Sequence, residues 1–179
     1  MTIILICGYA GSGKDTIGDI LQKKGYTRYA FADELKEFTA KKHGFLYDLT
    51  VTQKGKNTNV LSILTKEIDS VRKFLIYESA LAKKIYNDDM YWAKIVVSKI
   101  KENSHLNQYV ITDWRYIAEL NHTKELLNQK IYTIRVIRND IVPLSDSSEH
   151  ELDSIICDFT IHNNESLDNL IKQVEALPI

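Results

Sequence analysis

Gly8-Tyr9-Ala10-Gly11-Ser12-Gly13-Lys14-Asp15-Thr16 is the stretch on which the reading of this chain turns. It follows Ile3-Ile4-Leu5-Ile6-Cys7, a continuous apolar run of the kind buried on both faces of a parallel sheet. Glycines let the backbone curl so that successive N–H groups point inward at an anion. The helix that starts next brings its positive end to the same spot. Lys14 adds a cation, and a hydroxyl at the helix start can meet a phosphate or a magnesium shell. The spacing G-x4-G-K is that of a phosphate loop, but Asp15 stands where Ser or Thr is usual and the hydroxyl comes one residue later, at Thr16. The pattern G-x2-G-x-G-K-x-T arises by chance on the order of once per million positions. Gly8, Gly11, Ser12, Gly13, Lys14, Asp15 and Thr16 are therefore expected to hold the phosphates of a nucleotide.

Working outward, the 179 residues amount to one ordinary domain, and 44% hydrophobic with 26% charged residues is a globular balance. A net charge of −1 provides no field for gripping a nucleic-acid backbone. No apolar run approaches the ~20 residues that span a bilayer, and the apolar start is a strand rather than a signal peptide. The five histidines show no metal-binding spacing. Cys7 and Cys157 form no CxxC unit and read as two buried thiols of a reducing compartment. Of 23 cations only five are arginines, namely Arg28, Arg72, Arg115, Arg135 and Arg138. Where lysine is the default, a retained arginine marks a need for a planar, bidentate donor.

Periodicity predicts helices over 16–24, from Asp33 as N-cap to His43 with Leu35 and Phe38 inward, from about 62 to 85, 90–101, 119–128 and from Ser166 to about 177. Strands are expected at 3–7, 27–32, 109–112, 131–137 and 158–162, with a mobile loop over 45–60 and a polar loop over 138–148. Alternating strands and helices imply an α/β fold with a mainly parallel sheet, whose ligand sits beyond the carboxyl ends of the strands. The glycine loop, Asp33 and Asp113 all fall at such ends.

Among phosphate-loop proteins, the displaced hydroxyl resembles the adenylate-kinase-like nucleoside monophosphate kinases. Within that group the chain resembles the bacteriophage-type deoxynucleoside monophosphate kinases. The resemblance rests on Gly13-Lys14-Asp15-Thr16, Phe31-Ala32-Asp33-Glu34-Leu35-Lys36, Ser70-Val71-Arg72-Lys73-Phe74-Leu75, Tyr91-Trp92-Ala93, Ile111 through Glu119, Ser148-Glu149 and Ile161-His162-Asn163, in the family's order. It departs at Trp114, where the family carries an aliphatic, and at Asp146, where a histidine is common. The resemblance implies a three-layer P-loop NTPase fold in one domain over 1–179, with an acceptor-binding helical region at about 33–104 and a lid-like loop at about 138–150. It also implies ATP-dependent phosphoryl transfer to a (deoxy)nucleoside monophosphate, with ATP and magnesium as cofactors. Carried over residue by residue, Lys14, Asp33, Arg115 and Arg138 would be catalytic. Asp33, Lys36, Arg72, Asp113 and Arg115 would bind the acceptor, and Thr16 and Asp113 would hold Mg2+, directly or through water.

Two other readings stand beside this one: a small kinase for a coenzyme A precursor or phosphomevalonate, and a non-catalytic ATP-binding module. A small-molecule substrate, no nucleic-acid or membrane partner, a monomer or homodimer, and a cytoplasmic location (the host's, for a viral protein) complete the expectations.

Overall fold

The computed structural model describes residues 1–143 and 150–179. Asp146, Ser148-Glu149 and much of the expected lid over 138–150 lie outside the described residues. In chain order the elements are β1 (Thr2–Cys7), α1 (Lys14–Lys23), β2 (Thr27–Tyr29), α2 (Asp33–His43), a 3-10 turn (Tyr47–Thr50), α3 (Gln53–Lys56), β3 (Asn59–Leu61) and β4 (Ile68–Ser70). They continue with α4 (Val71–Tyr86), α5 (Tyr91–Glu102), β5 (Gln108–Ile111), α6 (Ile117–Leu127), β6 (Lys130–Ile137), β7 (Phe159–His162) and α7 (Leu167–Glu175). They fall into two compact units, Met1–Phe31 with Val96–Ile179, and Ala32–Ile95.

The first unit is built on a parallel five-stranded sheet in the order β2-β5-β1-β6-β7. β1 lies at its centre, with Ile3 opposite both Tyr109 and Ile131. Ile3, Ile4, Leu5 and Ile6 are wholly buried, as a strand covered on both faces must be. Ile4, Ile6, Ile134, Val136 and Ile161 from the sheet join Ile17 and Leu21 of α1 and Leu170 and Val174 of α7 in one apolar cluster. Ser166 starts α7, its Oγ accepting from Asn169 N at 3.3 Å. Among the described residues no helix is long and apolar enough to cross a membrane.

The second unit departs from the periodicity reading in four places. The stretch over 45–60 carries the 3-10 turn, α3 and β3, because Thr50 and Thr52 hydroxyls hold their own turns: Thr52 Oγ1 accepts from Gly55 N at 3.0 Å. The helix expected from about 62 starts at Val71. Residues 59–70 form a hairpin pairing Leu61 with Ile68, its turn organised by Ser62 Oγ, which accepts from Leu64 N and Thr65 N. Ser70 is the true cap of α4. Asp33 is the first residue of α2 rather than its cap, which is Ala32, and its carboxylate takes Lys36 Nζ at 2.9 Å. Phe38 is 44% exposed, resting against Trp92 (ring centroids 5.5 Å apart) with Lys42 over its other side, while Thr39, Ala40 and His43 form the buried face.

A buried polar chain ties this unit together. His43 Nδ1 meets Ser62 Oγ at 2.8 Å, His43 Nε2 meets Glu78 Oε1 at 2.9 Å, and Lys42 Nζ donates to Glu78 Oε2 at 2.9 Å. His43, Ser62 and Glu78 are almost wholly removed from water, so each needs the others' hydrogen bonds to offset its lost hydration.

Candidate functional site

The glycine loop joins the central strand β1 to α1, at the carboxyl edge of the sheet. Gly8 has φ +141°, and a Cβ there would lie 2.5 Å from Val136 O of the adjacent strand. Gly13, with φ +105°, stands at the N-cap position of α1, and its missing side chain leaves room for Asn163. Asn163 follows β7 and donates from Nδ2 to Ser12 O at 2.8 Å, while its own N–H goes to Ile137 O at 2.8 Å. The last strand thus braces the loop from outside.

Lys14 Nζ bends back over the loop and donates to Gly8 O at 2.7 Å and Tyr9 O at 2.8 Å. The cation is gathered over the loop's own carbonyls. The N–H groups of the first turn of α1 have no acceptor within the helix. Among the described residues Ser12 Oγ, which is buried, has no hydrogen-bond partner, and Thr112 Oγ1, at the carboxyl end of β5, is in the same condition. Buried polar atoms are rarely left so, and Ser12 belongs to the glycine loop itself. Asp15 turns its carboxylate to Arg28 at 2.7 Å, and Arg28 also takes Asp19 at 2.6 Å. What Asp15 has to offer a phosphate is its backbone N–H.

Asp113 follows β5 and accepts the Phe31 N–H on Oδ1 at 2.7 Å, while Thr112 N reaches Tyr29 O and Trp114 N reaches Ile6 O. Trp114 is buried, its Nε1 donating to Tyr116 O at 2.8 Å, so the departure from the resembled family is a packing residue. Arg115 lines a small cavity beside the loop together with Gly8, Tyr9 and Arg135. Its backbone N–H, with that of Tyr116, is taken by Glu119 Oε2 at 2.8 and 3.0 Å, which closes the start of α6. Burial pushes the Glu119 carboxyl up to about 8, against the pull of those two amides.

Arg138 lines a second cavity of about 300 Å³ with Gly8, Tyr9 and Ile141, and it is held by Asp140 through Nε at 2.9 Å and Nη2 at 3.2 Å. Among the described residues Arg135 does not pair with a carboxylate. It donates to the backbone carbonyls of Leu152 and Ile155, ordering the segment that precedes β7. Tyr9 OH donates to Asp153, whose other oxygen meets His150; the latter bond holds the Asp153 carboxyl below its usual range.

Of the residues expected to bind an acceptor, Asp33, Lys36 and Arg72 belong to the second unit and Asp113 and Arg115 to the first. Arg72 is held by Gln53 Oε1 at 2.5 Å and Asn57 Oδ1 at 3.3 Å, both neutral oxygens, and among the described residues no carboxylate pairs with it. The second unit's groove of about 620 Å³, lined by His43, Thr65, Glu67, Asp69, Lys73, Phe74, Ile76 and Tyr77, contains none of the three. Among the described residues no group of three or more His, Cys, Asp or Glu is placed to hold a metal ion.

Sequence reasoning missed Asn163 as a brace, although the signal that singled out Asp113, a polar residue just past a strand's carboxyl end, applies to it equally. It also missed Thr112, which nothing in local pattern distinguishes, and singled out Arg28 only as a scarce arginine, without its hold on Asp15 and Asp19.

No protein-family model matches the chain, and no curated protein sequence does. Among solved structures it is similar to dephospho-CoA kinase from Campylobacter jejuni, with a TM-score of 0.52 at 15% identity over 98% of this chain and 94% of that one. This is the fold of the P-loop kinases. Shikimate kinase from Aquifex aeolicus (TM-score 0.49, 17% identity, 98% and 94% covered) and a gluconokinase from Sinorhizobium meliloti (0.48, 10%, 97% and 89%) are further likenesses.

Proposed function

We propose that the chain is an ATP-dependent kinase that transfers a phosphoryl group to a (deoxy)nucleoside monophosphate. The observation that carries this reading is Lys14, folded over a glycine loop at the carboxyl end of the central strand, beside the buried and unpartnered Ser12 hydroxyl. The ordered set of segments resembling the phage-type monophosphate kinases supports the choice of acceptor.

In this reading the P-loop amides and Lys14 hold the β- and γ-phosphates of ATP, and Arg138 reaches the adenine or the transferring group. Asp33, Lys36 and Arg72 recognise the acceptor, with Arg72's charge available to its phosphate. Arg115 takes up charge on the transferring group, and Asp113 contributes to acceptor and metal binding. Thr16 and Asp113 are oxygen donors suited to a hard cation, and magnesium held there would neutralise phosphate charge. The acceptor's attacking oxygen is already ionised at neutral pH. No strong general base is required, and catalysis is alignment plus electrostatic stabilisation.

The test is a panel of every ribo- and deoxyribonucleoside monophosphate with ATP as donor, followed by ADP release. Lys14→Ala should abolish turnover on the best acceptor, and unchanged turnover would remove Lys14 from the mechanism. Arg72→Ala should raise the acceptor's KM; a change in ATP affinity alone would refute the acceptor assignment. The dephospho-CoA kinase likeness makes a coenzyme A precursor the comparison acceptor in the same panel. Tight ATP binding with no acceptor-stimulated ADP release would instead identify a binding module.

A further inference from the structure

Cys7 and Cys157 are separated by 150 positions in the chain, yet their sulfurs lie 3.7 Å apart. Cys7 ends β1, directly before Gly8, and is buried; Cys157 precedes β7 and is half-exposed. Both are free thiols, and the expectation that both are buried holds for Cys7 but not for Cys157, which is half-buried. The segment leading to Cys157 is fixed by Arg135, which binds the Leu152 and Ile155 carbonyls. A hydrogen bond from Cys7, the Arg135 charge and contacts with Thr133 and Arg135 draw the Cys157 thiol down to about 7 against its own burial, while the same pairing and burial push Cys7 up. A second thiol held 3.7 Å from the less buried and more acidic one is the arrangement of an oxidant-sensitive pair.

We propose that Cys157 is a peroxide-reactive thiol and Cys7 its resolving partner, so that oxidation ties the root of the phosphate loop to the segment before β7. In the first step the Cys157 thiolate attacks one oxygen of hydrogen peroxide. An S–O bond forms, the O–O bond breaks, and hydroxide leaves, with the sulfur oxidised to sulfenic acid. In the second step Cys7 sulfur attacks the Cys157 sulfur, the S–S bond forms, and the sulfenic oxygen leaves as water with the Cys7 proton. A thiol donor of the dithiothreitol class reverses the exchange. Bonding requires the sulfurs to close from 3.7 Å to about 2.05 Å. Cys7 is joined to Gly8, whose carbonyl holds Lys14 and whose Cα faces Val136 O with no room for a Cβ, so that displacement is passed to the loop. The effect on nucleotide rests on the proposed function; the sulfur chemistry does not.

The experiment treats the intact protein with hydrogen peroxide, alkylates remaining thiols and maps peptides by mass spectrometry. The expected result is a linked Cys7–Cys157 peptide, lost on dithiothreitol treatment. In the Cys7→Ser variant, sulfenic acid at Cys157 should be trapped by dimedone. Full alkylation of both cysteines after peroxide, or sulfenic acid on Cys7 alone, overturns the proposal. ATP affinity of the linked protein should fall roughly tenfold or more and recover on reduction, while Cys157→Ser binds equally before and after peroxide. A linked protein with unaltered ATP affinity overturns the coupling to the loop. Because the peptide map reads the sulfurs directly, it fails independently of any failure of reduced protein to bind ATP.

Discussion

Gly13→Ala probes how the P-loop is held in shape. Gly13 has φ +105°, and a Cβ there would lie 2.3 Å from Asn163 Nδ2. The backbone conformation alone costs an L-residue about 1–2 kcal/mol. The new methyl also displaces the Asn163 amide from Ser12 O, where it now donates at 2.8 Å, for a further loss of about 0.5–1.5 kcal/mol. The sum is about 1.5–3.5 kcal/mol, or roughly 3–14 °C in Tm for a chain of this size. Asn163→Ala removes the same hydrogen bond and the obstacle with it, at about 1 kcal/mol. In the double variant the second term is already spent, so Gly13→Ala on the Asn163→Ala background should cost only the backbone strain. Urea unfolding of the four proteins gives the coupling, expected at about 0.5–1.5 kcal/mol. If Gly13→Ala costs the same with and without Asn163, the brace is not what the loop's geometry depends on.

Glu78→Ala should destabilise the protein by about 3–5 kcal/mol in urea unfolding, because it strands Lys42 and the buried His43. Glu78→Gln, which keeps an acceptor for His43, should cost less. Glu119 is held protonated in the folded chain between its ordinary 4.5 and about 8. The folded state therefore carries a proton that the unfolded state lacks over that window, and the associated stability is full below about 4.5 and lost as pH rises through about 8. Tm measured from pH 6 to 9 should fall for the wild type and flatten in Glu119→Gln, whose amide mimics the protonated acid; parallel curves would refute the assignment.

The parallel sheet was legible because its signal is local: Ile3 to Cys7 is apolar without interruption, and the P-loop follows at once. The helix of 71–86 was legible too, but its start was not. The apolar residues Leu61, Ile63 and Leu64 continue its periodicity into the hairpin, where they are exposed. What ends the strands is the Ser62 hydroxyl and what begins the helix is the Ser70 hydroxyl, and a hydrophobic pattern weighs neither. In the site, Lys14 and the glycines announce themselves by spacing. The pairing of Cys7 with Cys157 and of Ser12 with Asn163 depends on β7 returning beside β6, which no window of sequence contains.

The position of β1 bears on how the chain is made. It precedes every other strand of its sheet in the chain, yet its neighbours are β5 and β6, whose residues begin at Gln108 and Lys130. At about 5–20 residues per second, Ile3 to Ile6 spend roughly 5–20 s without either partner. A nascent chain halted before residue 108 would present that bare apolar ribbon to chaperones or to its own copies, and the brace on the glycine loop would form only after synthesis had passed Asn163.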